Sequence, residues 1–145
     1  MQILLVEDNP ADALLTKEAL TQENVESSDL SVVMDGQEAL ALLRQEGKYA
    51  GVRRPDLILL DLNLPKTDGR TVLAEIKEDP RLKHIPVVVF TSSTAPGDVL
   101  QAYTLYANCY IIKPLELDSF FHVVRNVVRF WALTASLPSR FYSDR

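Results

Sequence analysis

Four short apolar runs in this chain are each followed, or closed, by a residue able to do chemistry. Glu7 and Asp8 follow Ile3–Val6, Asp61 follows Leu57–Leu60, Thr91 follows Val87–Phe90 and Lys113 follows Cys109–Ile112. Three carboxylates gathered in one crevice cannot all stay ionised without a cation, because each raises the pKa of the others. Mg²⁺ (or Mn²⁺) answers that demand, being a hard ion that takes oxygen ligands and keeps several waters. Asp61 can then act as a nucleophile toward phosphorus, giving an aspartyl phosphate. Phosphoryl transfer asks little of a protein beyond positioning and charge neutralisation. Lys113 supplies a positive charge and Thr91 a hydroxyl, both able to bind phosphate oxygens, and Lys113 can pair with a carboxylate beforehand. Singly these signals are weak, since an acidic residue after a strand is often only a helix cap. Their shared position at strand ends gives them weight.

The residues converge only if the runs are parallel strands of one sheet. Solid Val/Ile/Leu runs of this length are strands covered on both faces, and the segments between them have helical periodicity. Asn9-Pro10 lead into a stripe of Ala11, Leu14, Leu15 and Ala19, and a looser run over Leu30–Met34 is the second strand. Gly36 opens a second helix that Gly47 is placed to end. Asp68-Gly69 precede a third, closed by Pro80. Pro96-Gly97 start a fourth, to about Tyr106, and a fifth covers Glu116 to about Leu133. Five βα units predict a doubly wound, five-stranded parallel sheet with its ligand site at the carboxyl ends of the strands. In the order 2-1-3-4-5 the first and third strands are neighbours, and their three carboxylates share a crevice.

The length of 145 residues suits one domain, and 47% hydrophobic with 24% charged residues excludes disordered and coiled-coil classes. A net charge of −5 without a basic block argues against a nucleic-acid partner. The first thirty residues carry seven acidic side chains against Lys17 alone, which suits a cation site. No apolar run reaches the roughly 18 residues that span a bilayer, and no basic segment precedes the first strand. The expected location is cytoplasmic, away from membranes. Cys109 reads as core packing, His84 and His122 as surface imidazoles, Arg53 and Arg54 as solvated loop residues, and Asp12 as a solvated helix residue.

ILLVEDNPAD at 3–12, PDLILLDLNLPKTDG at 55–69, IPVVVFTSS at 85–93 and YIIKP at 110–114 closely resemble the receiver domain of two-component response regulators, over nearly the whole chain. The resemblance implies a flavodoxin-like receiver fold over 1–134, with 135–145 as a tail. It makes Asp61 the phosphoacceptor, Glu7 and Asp8 the acidic metal pair, and the backbone carbonyl of Asn63 a further ligand. Thr91 becomes the switch hydroxyl, Lys113 the phosphate-pairing lysine and Tyr110 the switch aromatic. The first acidic position holds Glu where many members have Asp, which alters reach but not charge. PDLILLDLNLPKTDGR, VLAEIK, NCYIIKP and FWALTASLP further resemble the stand-alone receivers that partner cyanobacterial phytochromes.

The implied function is a single-domain relay taking a phosphoryl group from a histidine kinase, a phytochrome, onto Asp61. The protein would be no enzyme in the ordinary sense, although it assists its own phosphorylation and dephosphorylation. The short tail predicts output by protein contact. A phosphatase with an aspartyl nucleophile is the alternative, disfavoured because the position that would hold its second acid is Asn63. A nucleotide or flavin carrier lacks its glycines, since the first loop is Glu-Asp-Asn-Pro. Leu117, Phe120, Phe121, Val124, Val127, Val128 and Trp131 form a stripe that covers the sheet. A second stripe of Val123, Phe130 and Leu137, with Phe141 in the tail, predicts a homodimer through the fourth helix, fifth strand and fifth helix. Pro138 is expected to end the fifth helix.

Overall fold

The computed structural model describes residues 1–26 and 29–140. Five parallel strands, β1 (Ile3–Val6), β2 (Leu30–Val33), β3 (Leu57–Leu60), β4 (Val87–Thr91) and β5 (Cys109–Ile112), lie in the order β2-β1-β3-β4-β5. Helices α1 (Pro10–Gln22), α2 (Gly36–Leu43), α3 (Gly69–Glu78), α4 (Pro96–Thr104) and α5 (Leu117–Arg129) connect and follow them. This is the expected doubly wound, flavodoxin-like arrangement.

The two-residue period of each strand sorts its side chains between two cores. Leu4, Val6, Ile58, Leu60, Val87 and Val89 pack with residues of α2, α3 and α4. Their neighbours Ile3, Leu5, Leu57, Leu59, Val88 and Phe90 pack with α1 and α5. Both sides of β1, β3 and β4 are therefore dry, as the unbroken apolar runs demand, while the edge strands β2 and β5 are only partly buried. On α5, Phe120, Val124 and Val128 are buried and Phe120 meets Phe90 edge to face at 5.3 Å.

Helix starts obey local chemistry. The Asn9 side chain accepts from the Ala11 and Asp12 amides, Asp35 from Glu38 and Asp68 from Arg70. Helix ends depart from expectation. α2 stops at Leu43, short of Gly47, because Gln45 takes the left-handed conformation at φ 58°, the Glu46 amide donates to Ala41 O and the Gln45 amide to Leu42 O. That pattern satisfies the last carbonyls in the manner usually given to glycine. Tyr106, at φ 69°, ends α4 in the same way, so α4 stops at Thr104.

α5 differs most. It gives way at Phe130 to a wider turn over Phe130–Thr134, sealed by the Ala135 amide on Phe130 O at 2.7 Å, and Ala135 is extended. The chain has left the helix before Pro138, which begins a short 3₁₀ turn over Pro138–Arg140 and is not the terminator. Leu137 consequently does not extend the Val123–Phe130 stripe, and it is 4% exposed. Phe141 lies outside the described residues. Arg54 is a further correction: it is buried, with its Nε donating to Leu43 O at 2.8 Å.

Candidate functional site

The parallel ladders continue one residue past the strand ends and so fix the polar residues that follow. Val6 pairs with Leu60 in register, the Glu7 amide donates to Val33 O, and the Asp61 amide to Val6 O at 3.1 Å. Across the sheet the Lys113 amide donates to Thr91 O at 2.8 Å. Backbone bonds thus set Glu7, Asp61, Thr91 and Lys113 along one edge, and all four are buried.

Glu7, Asp8 and Asp61 place carboxylate oxygens within 4.8 Å of one another. The Lys113 ammonium donates from the other side, Nζ lying 2.5 Å from Glu7 Oε1, 2.9 Å from Asp12 Oδ2 and 3.0 Å from Asp61 Oδ2. Three donor protons meet three carboxylates, which is the full capacity of an ammonium group. Glu7 Oε2 also accepts from the Asn9 amide at 3.2 Å, and Asp61 Oδ1 from the Asn63 amide at 3.3 Å.

The charges do not balance, because four carboxylates face one ammonium. Burial pushes Glu7 up to about 7 against the hydrogen bond and charge of Lys113, with the nearby Asp61 charge adding to the rise. Lys113 is driven the other way: burial alone would depress it, but its bonds to Glu7 and Asp12 and the charges of Glu7 and Asp61 hold it well above an ordinary lysine. Burial thus outweighs what Lys113 gives back to Glu7. Three hard oxygen donors at this spacing fit a divalent cation of the Mg²⁺ or Mn²⁺ kind.

Gly69 is where α3 comes closest to the site. A Cβ there would lie 2.2 Å from the Asp61 carbonyl oxygen, so only glycine lets the first turn of α3 sit against the end of β3. Asn63 is exposed in the connecting loop.

Thr91 and Tyr110 sit at the start of a second polar chain. The Ser93 amide donates to Thr91 Oγ1 at 3.4 Å, and the Tyr110 hydroxyl donates to Ser93 O at 2.9 Å. Ser93 Oγ is 2.5 Å from Asp98 Oδ2, and Arg70 bridges Asp98 at 2.9 Å and Asp68 at 3.2 Å. The loop after β4 is therefore bonded to β5 and to α4, and α4 in turn to α3.

All five strand-end residues of the sequence reading are at this edge. Asp12, expected to be a solvated helix residue, is instead the third carboxylate on Lys113. Its place in the first turn of α1, four residues past Asp8, was the available signal. Ser93, Asp98 and Arg70 carry no such spacing signal.

A profile described as response regulator receiver domain matches residues 3–125. Response regulator Rcp1 of Synechocystis sp. is 49% identical over 137 residues, covering 94% of this chain and 92% of that protein. The crystal structure of the phosphorylated cyanobacterial phytochrome response regulator RcpA superposes with a TM-score of 0.89 at 54% identity, covering 95% of this chain and 98% of that one. The Mn²⁺-bound form of Rcp1 superposes with a TM-score of 0.88 at 49% identity, covering 94% and 97%.

Proposed function

The chain belongs to the response regulator receiver family, and from that premise we propose that it receives a phosphoryl group on Asp61 from the phosphohistidine of a kinase in a phytochrome system. The observation that carries the reading is Asp61 at the end of β3, within 4.8 Å of Glu7 and Asp8 and 3.0 Å from Lys113.

Glu7, Asp8 and Asp61, with the backbone carbonyl of Asn63, would hold a divalent cation. When bound, that ion supplies positive charge against the crowded carboxylates and the oxygens of the incoming group. An Asp61 carboxylate oxygen attacks phosphorus, the new P–O bond forms as the P–N bond breaks, and the electron pair returns to the imidazole nitrogen. Lys113 turns from Asp61 to a phosphoryl oxygen, and the Thr91 hydroxyl, one strand away, donates to another. Thr91 is tied through Ser93 to Tyr110, so a shift of Thr91 reaches the half-buried Tyr110 on β5. Loss of the phosphoryl group to water, assisted by the same residues, resets the protein.

The phytochrome assignment rests on likeness to Rcp1 and to RcpA, described as a cyanobacterial phytochrome response regulator. Residues 1–134 form the receiver domain and 135–145 its tail, and the protein works in the cytoplasm through protein contacts rather than on nucleic acid. Among the described residues no helix is long and apolar enough to cross a membrane. A homodimer through α4, β5 and α5 is supported by the exposed Leu100, Tyr103, Ile112 and Phe130, while Val123 is half-buried against its own core. Leu137, being buried within its own chain, is not part of this face.

Intact mass before and after acetyl phosphate with Mg²⁺ tests the reading. The wild type should gain one phosphoryl mass and Asp61→Asn none. An equal gain by Asp61→Asn would move the acceptor elsewhere.

A further inference from the structure

Lys113 is held by three carboxylates of different standing. Glu7 and Asp61 belong to the group whose oxygens lie within 4.8 Å of one another, and Asp12 does not. Any cation taken by that group draws Glu7 and Asp61 toward itself, and a phosphoryl group on Asp61 removes the charge of the oxygen it esterifies. Asp12, 2.9 Å from Nζ, is thus the one partner that neither change engages directly.

Lys113 needs such a partner because space lies beside it. Asp12 and Lys113 line one hollow of about 240 Å³, together with Ser92, Pro114, Phe120 and a second carboxylate, Glu116. An ammonium on a flexible four-carbon stem, freed from Glu7 and Asp61, has room to swing into this hollow and hydrate. The backbone cannot prevent it, since the Lys113 amide bond to Thr91 fixes only the start of the side chain.

We propose that Asp12 is a positioning residue that tethers the Lys113 ammonium beside Asp61 while Glu7 and Asp61 turn to the metal and the phosphoryl group. The inference rests on phosphorylation of Asp61. Asp12 itself is well placed to act as a fixed post. Its amide donates to the capping Asn9 at 3.1 Å, in the first turn of a helix that Ala13, Ala19 and Leu20 pack against the sheet.

A tether and a mere surface charge predict opposite results. If charge alone mattered, Asp12→Ala and Asp12→Asn would both react faster with the anionic donor acetyl phosphate, because each removes one negative charge. A tether needs an acceptor atom at the right place, which Asn retains and Ala lacks. The experiment follows intact mass over time at subsaturating acetyl phosphate and excess Mg²⁺, with melting curves showing that each variant is folded. The expected result is phosphorylation about tenfold slower in Asp12→Ala and within about threefold of wild type in Asp12→Asn, the scale of losing one positioning contact. Asp12→Ala at or above the wild-type rate, or Asp12→Asn as slow as Asp12→Ala, overturns the tether while phosphorylation of the wild type stands. No mass gain by the wild type overturns the phosphoacceptor reading and the tether with it.

Discussion

Two lysines stand at opposite ends of the same strands, Lys113 buried and Lys77 half-buried, and their acceptors differ in charge. Lys113 follows β5 and faces Glu7, Asp12 and Asp61. Lys77, near the end of α3, donates to Lys83 O at 3.1 Å, Ile85 O at 2.9 Å and Asn108 Oδ1 at 3.0 Å, just before β4 and β5 begin. Each ammonium has three acceptors. Those of Lys113 are charged, and its proton is held more tightly than an ordinary lysine's. Those of Lys77 are neutral, and burial pulls it below the ordinary value. Asn108 Oδ1 also accepts from the Val87 amide, so Lys77 ties α3 to the entry of β4 and β5. The amino end of the sheet uses its lysine as a staple, whereas the carboxyl end uses one as an exchangeable counter-charge. Satisfied hydrogen bonds alone do not distinguish a structural polar cluster from a reactive one. Excess charge does.

The largest expected effect separates the two lysines by activity. Lys113→Ala should slow phosphorylation by acetyl phosphate about a hundredfold, a loss of about 2.7 kcal/mol in the transition state, and Lys77→Ala should stay within twofold. Mass against time decides, and equal losses would erase the distinction.

Stability should reverse the order of importance. Lys77→Met removes the donor to the part-buried Ile85 O and leaves Asn108 Oδ1 with the Val87 amide alone, which should cost about 1 kcal/mol in urea unfolding. A midpoint unchanged from wild type would show that water replaces the ammonium at no cost.

Metal affinity gives a smaller contrast with a definite sign. Lys113 competes with a cation for Glu7 and Asp61, so Lys113→Ala should bind Mn²⁺ about tenfold more tightly, or about 1.4 kcal/mol. Lys77→Ala should match wild type in the same calorimetric titration. Weaker binding by Lys113→Ala would mean the ammonium organises the carboxylates for the ion rather than opposing it.

The smallest effect is in alkali. Lys77 loses its proton in the folded protein before it does so unfolded. The unfolded chain therefore binds more protons just below the ordinary lysine value, and stability should rise with pH there. Lys113 keeps its proton when folded, so its contribution is complete below the ordinary value and is lost as pH climbs above it. Unfolding of wild type, Lys77→Met and Lys113→Met between pH 9 and pH 11 checks both slopes, and like slopes from the two variants would refute the contrast.

Local pattern was enough for the architecture. β1 and β3 begin and end where their apolar runs do, because a strand dry on both faces admits no polar residue until it reaches the edge, and the partly buried edge strand β5 keeps to its apolar run as well. The same rule placed Glu7, Asp61 and Lys113, since each is the first residue past a strand. The loss of helix ends at Gln45 and Tyr106 has an equally local cause: neither residue advertises a left-handed conformation, and the expected glycine signal lay elsewhere.

The amino-acid sequence by itself determined which residues meet at the carboxyl edge of the sheet, because strand period and apolar run length act over a few neighbouring positions. Only the tertiary structure decided how those residues are partnered. It set Asp12 on an ammonium 101 residues away, sank Arg54 onto the end of α2 and buried Leu137 beyond a helix that had already turned. The first two join groups 101 and 11 residues apart along the chain, beyond any local period. Such contacts form because a buried charge or apolar surface must find a partner somewhere, and the packed fold alone settles which one is within reach.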